Sequence, residues 1–168
     1  MIRVYTNKDY PEVEDIFWLT SSKTNFKDEF EKKSFQKKYL DYYLNHPHFL
    51  GLVYLEANKV VGYIIGVKEY QEDEIRNNKL LDNFYEEIKS FPSELHINFH
   101  PSFQGGGRGS KLISHFVNYL KENNSKGVFL ITAKDAKNVS FYLRNNFLIK
   151  CEETINDSKL IMMTRSIN

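Results

Sequence analysis

Four of the chain's eight glycines fall within the stretch Gln104-Gly105-Gly106-Gly107-Arg108-Gly109-Ser110. Glycine reaches left-handed backbone without steric cost and lets a ligand approach the main chain closely. The stretch follows a strand-like segment and precedes a helical pattern, so free backbone N–H groups and the positive end of a helix dipole would converge on it. Such a place suits a phosphate or pyrophosphate. The spacing disfavours two nucleotide loops. A dinucleotide pattern starting at Gly105 needs glycine at position 110, where Ser110 stands, and no acidic residue follows at the ribose distance. A nucleotide-hydrolase loop ends in Gly-Lys-Ser/Thr, whereas this one reads Gly109-Ser110-Lys111.

Other groups able to do chemistry are few. Glu94, His96 and Asn98 would share one face of an alternating strand, where a carboxylate or imidazole can accept a proton. His46 and His48 flank Pro47, with no third ligand nearby in sequence, and read as a loop. Cys151 is the only cysteine, which excludes an internal disulfide and a Cys-x-x-Cys metal site; it reads as a packed strand thiol.

These residues must be held by an alternation of strands and helices. Ile2 to Tyr5 is a short strand, followed by a helix for which Asp9 is a candidate cap, with Pro11 in the first turn. A helix is expected over about Lys27 to Leu44, with Phe30, Phe35, Tyr39 and Tyr43 as its apolar positions, stopping at Asn45-His46-Pro47. Leu50 to Glu56 and Val60 to Val67 form a tight antiparallel hairpin around Ala57-Asn58-Lys59, with Gly62 and Gly66 marking a bulge or close approach. Glu69 to Lys89 reads as an acidic, solvated helix. Ser93 to Phe99 is a strand. Ser110 to Asn123 is an amphipathic helix with Leu112, Ile113, Phe116, Val117 and Leu120 on one face. Val128 to Thr132, a short helix from Lys137 to Arg144, and strands Phe147 to Glu152 and Lys159 to Arg165 complete an α/β chain with a mixed central sheet.

The chain has 168 residues, consistent with one domain spanning 1–168, long enough to bury about two-thirds of its unfolded surface. Lys and Arg number 23 against 22 Asp and Glu, so no strongly basic face for nucleic acid is expected. No apolar run approaches the roughly 20 residues of a spanning helix, and the amino terminus lacks the pattern of a signal peptide. The expectation is a soluble cytoplasmic protein with no membrane partner and no metal. Aromatic residues make up 15% of the chain, which favours a packed, aromatic-rich core over disorder.

The pattern Gln104-x-x-Gly107-x-Gly109 behind a strand ending in Pro101 resembles the GNAT superfamily of N-acetyltransferases. Val61-Gly62-Tyr63, Leu95-His96-Ile97 and Asn138-Val139-Ser140-Phe141-Tyr142, with Asn146-Phe147 after it, sit where that family places similar motifs. Together they cover roughly residues 50 to 150. Glu94-Leu95-His96-Ile97-Asn98-Phe99-His100-Pro101 and the long helix before it look like the branch that includes the acetyltransferase-like domain of O-GlcNAc hydrolases. Asn146 stands where the family often has glycine, a position an Asn can fill at modest cost.

The resemblance implies a GNAT fold of about six or seven strands flanked by helices, splayed next to the glycine loop, with acetyl-coenzyme A (acetyl-CoA) as cosubstrate. Gln104, Gly105, Gly106, Gly107, Arg108, Gly109 and Ser110 would hold the pyrophosphate. The pantetheine arm would pair beside Ile97, Asn98 and Phe99, and Asn138 and Phe141 would complete the cofactor site. The amide of Phe99 or Asn98 would polarise the thioester carbonyl. Tyr142, protonated at neutral pH, is the implied general acid. Glu94 and His96 are the candidate bases; the positions the family commonly uses fall on Phe91, Ser93 and Leu95, which cannot accept a proton at pH 7. Cys151 is not an acyl carrier, so transfer would be direct. The acceptor would be a primary amine of a small molecule or peptide, attracted if cationic by the seven acidic residues between 69 and 87. A monomer or homodimer is expected. A catalytically silent module that binds a protein or peptide in the same cleft is the alternative.

Overall fold

The computed structural model describes residues 1–167. The chain forms two compact units, one of residues 1–67 and 96–116, the other of 68–95 and 117–168. Among the described residues, eight strands form two four-stranded sheets, one in each unit.

The first unit holds β1 (Ile2–Val4), α1 (Tyr10–Thr20), α2 (Glu29–Gln36), α3 (Tyr42–Leu44), β2 (Phe49–Glu56), β3 (Lys59–Val67) and β5 (His96–Phe99). Its sheet runs β1-β2-β3-β5 and is antiparallel throughout. The β2–β3 hairpin closes through Ala57 and Asn58, both left-handed at φ 47° and 60°, as a two-residue turn matching strand twist requires. Asp9 does not cap α1 with its side chain. Its carboxylate instead accepts from the Thr6 amide at 2.7 Å and pairs with Arg3 at 2.6 Å.

The single helix expected from 27 to 44 is three pieces, because residues 37–41 form a π-turn between α2 and α3. The extra residue in that turn rotates the following segment. Leu40, within the turn, is fully buried, whereas Phe30, in α2 before it, is 80% exposed. The core of this unit joins Val13, Ile16, Leu40, Val53, Tyr63 and Ile65, so α1 and the π-turn cover the face of β3 that carries Tyr63 and Ile65.

The second unit holds α4 (Glu72–Asn77), α5 (Lys79–Asp82), α6 (Tyr85–Ser90), β4 (Ser93–Glu94), β6 (Gly127–Ala133), α8 (Val139–Arg144), β7 (Leu148–Ile155) and β8 (Ser158–Ser166). Its sheet runs β4-β6-β8-β7, with β4 and β6 parallel and the other pairs antiparallel. The acidic helix expected over 69–89 divides at Asn78, whose side chain accepts from the Leu80 and Leu81 amides and starts a new helix. Phe84, Ile88, Phe129, Phe147, Met162 and Met163 form the buried interior. Asn146 is left-handed at φ 63°, the conformation expected where glycine is replaced.

Helix α7 (Arg108–Glu122) starts in the first unit and ends in the second, with Leu112, Ile113, Phe116 and Leu120 fully buried. Asn124 at φ 59° ends it, and the Ser125 amide returns to the Leu120 carbonyl. No helix among the described residues is long and apolar enough to cross a membrane.

Candidate active site

In the first unit the chain leaves β5 through His100, whose Nδ1 accepts from the Ser102 amide, and makes a short 3-10 turn over Pro101–Phe103. Gln104 is extended, and its Nε2 donates to the Phe99 carbonyl at 3.2 Å, tying the loop back to the strand end. Gly105, Gly106 and Gly107 then have φ of 83°, 59° and 77°. A Cβ at Gly105 or Gly107 would meet nothing within 4 Å. Conformation, not crowding, therefore requires glycine there.

The Arg108 amide reaches the Gly105 carbonyl and the Lys111 amide the Gly107 carbonyl. The amides of Gly105, Gly106, Gly107, Gly109 and Ser110 bond to no group among the described residues. Five donors without a partner among the described residues thus lie at the start of a fifteen-residue helix, an arrangement matched to an anion. The Arg108 guanidinium is engaged by Glu56, Nε to Oε1 at 2.6 Å. Glu56, at the end of β2, is a loop partner that linear spacing did not indicate.

β5 is the last strand of its sheet, so one of its edges is open. Its register places Asn98 opposite Tyr63 and His96 opposite Ile65. The His100 amide bonds to the Val61 carbonyl, which fixes the antiparallel alternation: Asn98 and His96 bond to β3, while the amides of Ile97 and Phe99 face the open edge. Of the two amides suggested for an oxyanion, that of Phe99 is the one turned outward. The Phe99 carbonyl reached by Gln104 lies on the same side.

The expected common face of Glu94, His96 and Asn98 does not form, because the strand breaks at Leu95. Glu94 belongs to β4, pairs with Phe129 and lies in the second unit, and the Leu95 amide bonds to the Phe129 carbonyl. Glu94 is buried and accepts a short hydrogen bond from the Tyr70 hydroxyl. His96 is half-buried, with its ring centroid 4.4 Å from that of Tyr43 on α3. Tyr70 and Tyr43 are thus partners that the sequence pattern did not indicate.

In the second unit, Tyr142 lies on α8, 6% exposed, with Phe141 and Phe147 edge-on at 5.3 and 5.6 Å. Burial pushes its phenol well above the ordinary value, so it is protonated throughout the neutral range. Asn138 stands before α8; its Oδ1 accepts from the Thr132 hydroxyl at 3.2 Å. Cys151 on β7 is pushed up to about 11, first by burial and then by Glu87 and Glu153, and so carries little thiolate at neutral pH. No cluster of three or more His, Cys, Asp or Glu suited to a metal occurs among the described residues. A separate cleft of about 640 Å³ in the first unit, lined by Trp18, Lys23, Phe26 and Lys32 among others, contains none of these residues.

A family model described as the Acetyltransferase (GNAT) family matches residues 10–147. No curated protein sequence matches the chain significantly. Among solved structures, the chain is similar to SsHAT, with TM-score 0.76 and 20% identity, covering 100% of this chain and 98% of that one. It is similar to ribosomal-protein-alanine N-acetyltransferase from Brucella melitensis, with TM-score 0.67 and 17% identity, covering 99% of each chain. It also resembles yncA from Salmonella typhimurium, a structure with its cofactor acetyl-CoA, with TM-score 0.65 and 16% identity, covering 100% of this chain and 94% of that one. At these identities the structural likeness speaks for the fold, and the family match spans most of the sequence: the chain belongs to the acetyltransferase (GNAT) family of acetyl-CoA-dependent transferases.

Proposed function

We propose that the chain moves the acetyl group of acetyl-CoA directly to a primary amine of a small molecule or protein. The observation that carries this reading is the run of three left-handed glycines with five unpaired amides at the start of α7, on the strand whose edge is open. Gln104 through Ser110 would take the pyrophosphate, and the outward amides of Ile97 and Phe99 would pair with the pantetheine arm as an added strand. The Phe99 amide would hold the thioester oxygen as it gains negative charge. Asn138 and Phe141 would contribute to cofactor binding.

The acceptor nitrogen attacks the carbonyl carbon, the carbon–sulfur bond breaks, and the thiolate takes a proton while the amine loses one. Tyr142 has the chemistry of the proton donor, since burial keeps it a phenol. Glu94 and His96 remain the candidate acceptors of the amine proton, Glu94 held by Tyr70 and His96 packed on Tyr43. The acidic residues of α4 to α6 support a cationic acceptor. The whole chain, 1–168, would act as one transferase domain in the cytoplasm, as a monomer or homodimer, without a nucleic-acid partner. The motif Glu94 to Pro101 supports placement in the branch related to the acetyltransferase-like domain of O-GlcNAc hydrolases.

Calorimetric titration with acetyl-CoA tests the reading. Micromolar binding is expected; no heat at hundreds of micromolar would leave the silent binding module in its place.

A further inference from the structure

Asn98 is an unusual choice for its position. Its register places it directly opposite Tyr63, on the face of the sheet that also carries Ile65 and His96 and against which α1 packs. Asn is a poor strand former, and a half-buried amide costs free energy unless its hydrogen bonds are made. One is made: Asn98 Nδ2 donates to the Tyr63 hydroxyl oxygen at 3.0 Å, and Tyr63 is 1% exposed, so its ring cannot swing away. That bond fixes the side-chain torsion of Asn98 and leaves Oδ1 without a protein donor among the described residues. Position 98 immediately precedes Phe99, whose amide faces the open edge.

We infer that Asn98 Oδ1 accepts an N–H of the acceptor amine and orients its lone pair toward the thioester carbonyl, and that Tyr63 is the positioning residue that locks Asn98 in that pose. The recognised class is a primary amine reaching the strand as an uncharged N–H donor. The bond to Oδ1 would leave the nitrogen lone pair free for attack, which a bond to a donor would not. The inference rests on the acetyl-transfer reading above.

The test measures thiol release from acetyl-CoA with methylamine, spermidine and a peptide with amino-terminal alanine. For the best of the three, Tyr63→Phe and Asn98→Ala each raise the amine KM about tenfold. Their acetyl-CoA dissociation constants by calorimetry stay within about twofold. The double variant is no worse than Asn98→Ala, because Tyr63 acts through Asn98. Asn98→Asp, which keeps an acceptor oxygen, retains the amine KM within about threefold. A Tyr63→Phe enzyme with wild-type amine KM overturns the inference, as does an Asn98→Asp enzyme as impaired as Asn98→Ala. Wild-type protein that binds acetyl-CoA but acetylates none of the three amines overturns the transfer reading itself, and the inference with it.

Discussion

The ring of Phe99 lies against the backbone of Gly62: a Cβ built at position 62 would stand 2.4 Å from Cδ1 and Cε1 of that ring. The two residues are direct partners in the β3–β5 register, on the face opposite Tyr63 and Asn98, and Tyr54 closes over Phe99 with ring centroids 5.6 Å apart. Gly62 therefore exists to seat the side chain of the residue whose amide faces the open edge. Gly62→Ala is expected to cost about 1–3 kcal/mol through overpacking, lowering Tm by about 2–4 °C per kcal/mol at this length. Adding Phe99→Leu should recover part of that loss. A thermal melt showing the two substitutions strictly additive would contradict the packing argument.

Gly107 obeys a different constraint. It has open space where a Cβ would go but sits at φ 77°. Gly107→Ala should cost about 1–2 kcal/mol in backbone conformation and weaken acetyl-CoA binding about tenfold by calorimetry, because the loop relaxes toward a shape that no longer converges its amides. Gly107→Asn should lose less, since Asn tolerates left-handed backbone better. Equal losses for the two would point to side-chain bulk at the ligand rather than to φ.

Much of this was legible in the sequence because it depended on local rules. The glycine run, its strand and its helix, and the Ala57-Asn58 turn follow from backbone conformation that only certain residues adopt. What was not legible depended on contacts across the chain. Ser93 to Phe99 alternates like one strand, yet Leu95 divides it because Glu94 pairs with β6 and His96 with β3. Linear spacing sees the alternation and not the partners. Leu40 enters the core within the π-turn at 37–41, a break in helical spacing that periodicity cannot register, and Phe30, earlier in α2, faces solvent although the apolar pattern suggested it as an inward position. The pairings of Tyr63, Tyr70, Tyr43 and Glu56 were not legible for the same reason: each is made with a residue at least 24 positions away.

Tyr142→Phe separates a catalytic hydroxyl from a packed ring. The hydroxyl makes no hydrogen bond with the described residues, while the ring contacts Phe141 and Phe147 would persist in the variant. Thermal stability should be unchanged or slightly higher. If the phenol protonates the leaving thiolate, kcat falls by about a hundredfold. The acid works in its protonated form, and burial raises its pKa, so wild-type kcat should show no loss attributable to this residue below about pH 10. A Tyr142→Phe enzyme with wild-type kcat would rule out this assignment, and an alkaline limb near pH 8 that vanishes in the variant would contradict the raised phenol instead.

Cys151 tests direct transfer. With its thiol raised to about 11 by burial and neighbouring carboxylates, it should resist iodoacetamide at neutral pH, and Cys151→Ser should keep kcat within about twofold. Mass spectrometry of the enzyme mixed with acetyl-CoA alone should show no acetyl adduct at position 151; a stoichiometric adduct that amine discharges would replace direct transfer with an acyl-enzyme route.

The pair Arg3–Asp9 makes the amino-terminal strand pH-sensitive. The Arg3 hydrogen bond is the main force lowering the Asp9 pKa, aided by the Thr6 amide and hydroxyl and opposed by burial. A carboxyl lowered in the folded state contributes stability that is fully present above its unfolded value near 3.9 and is lost as pH falls through the folded value. Asp9→Asn should therefore lower Tm by on the order of a few degrees at pH 7, an amount kept small by the partly solvated Arg3 side chain, 37% exposed. The gap should close as pH falls below about 4, where wild type loses the contribution that the variant never had. A difference in Tm that stayed constant from pH 7 to pH 2.5 would mean that Asp9 acts through its shape and hydrogen bonds alone, with no contribution from its charge.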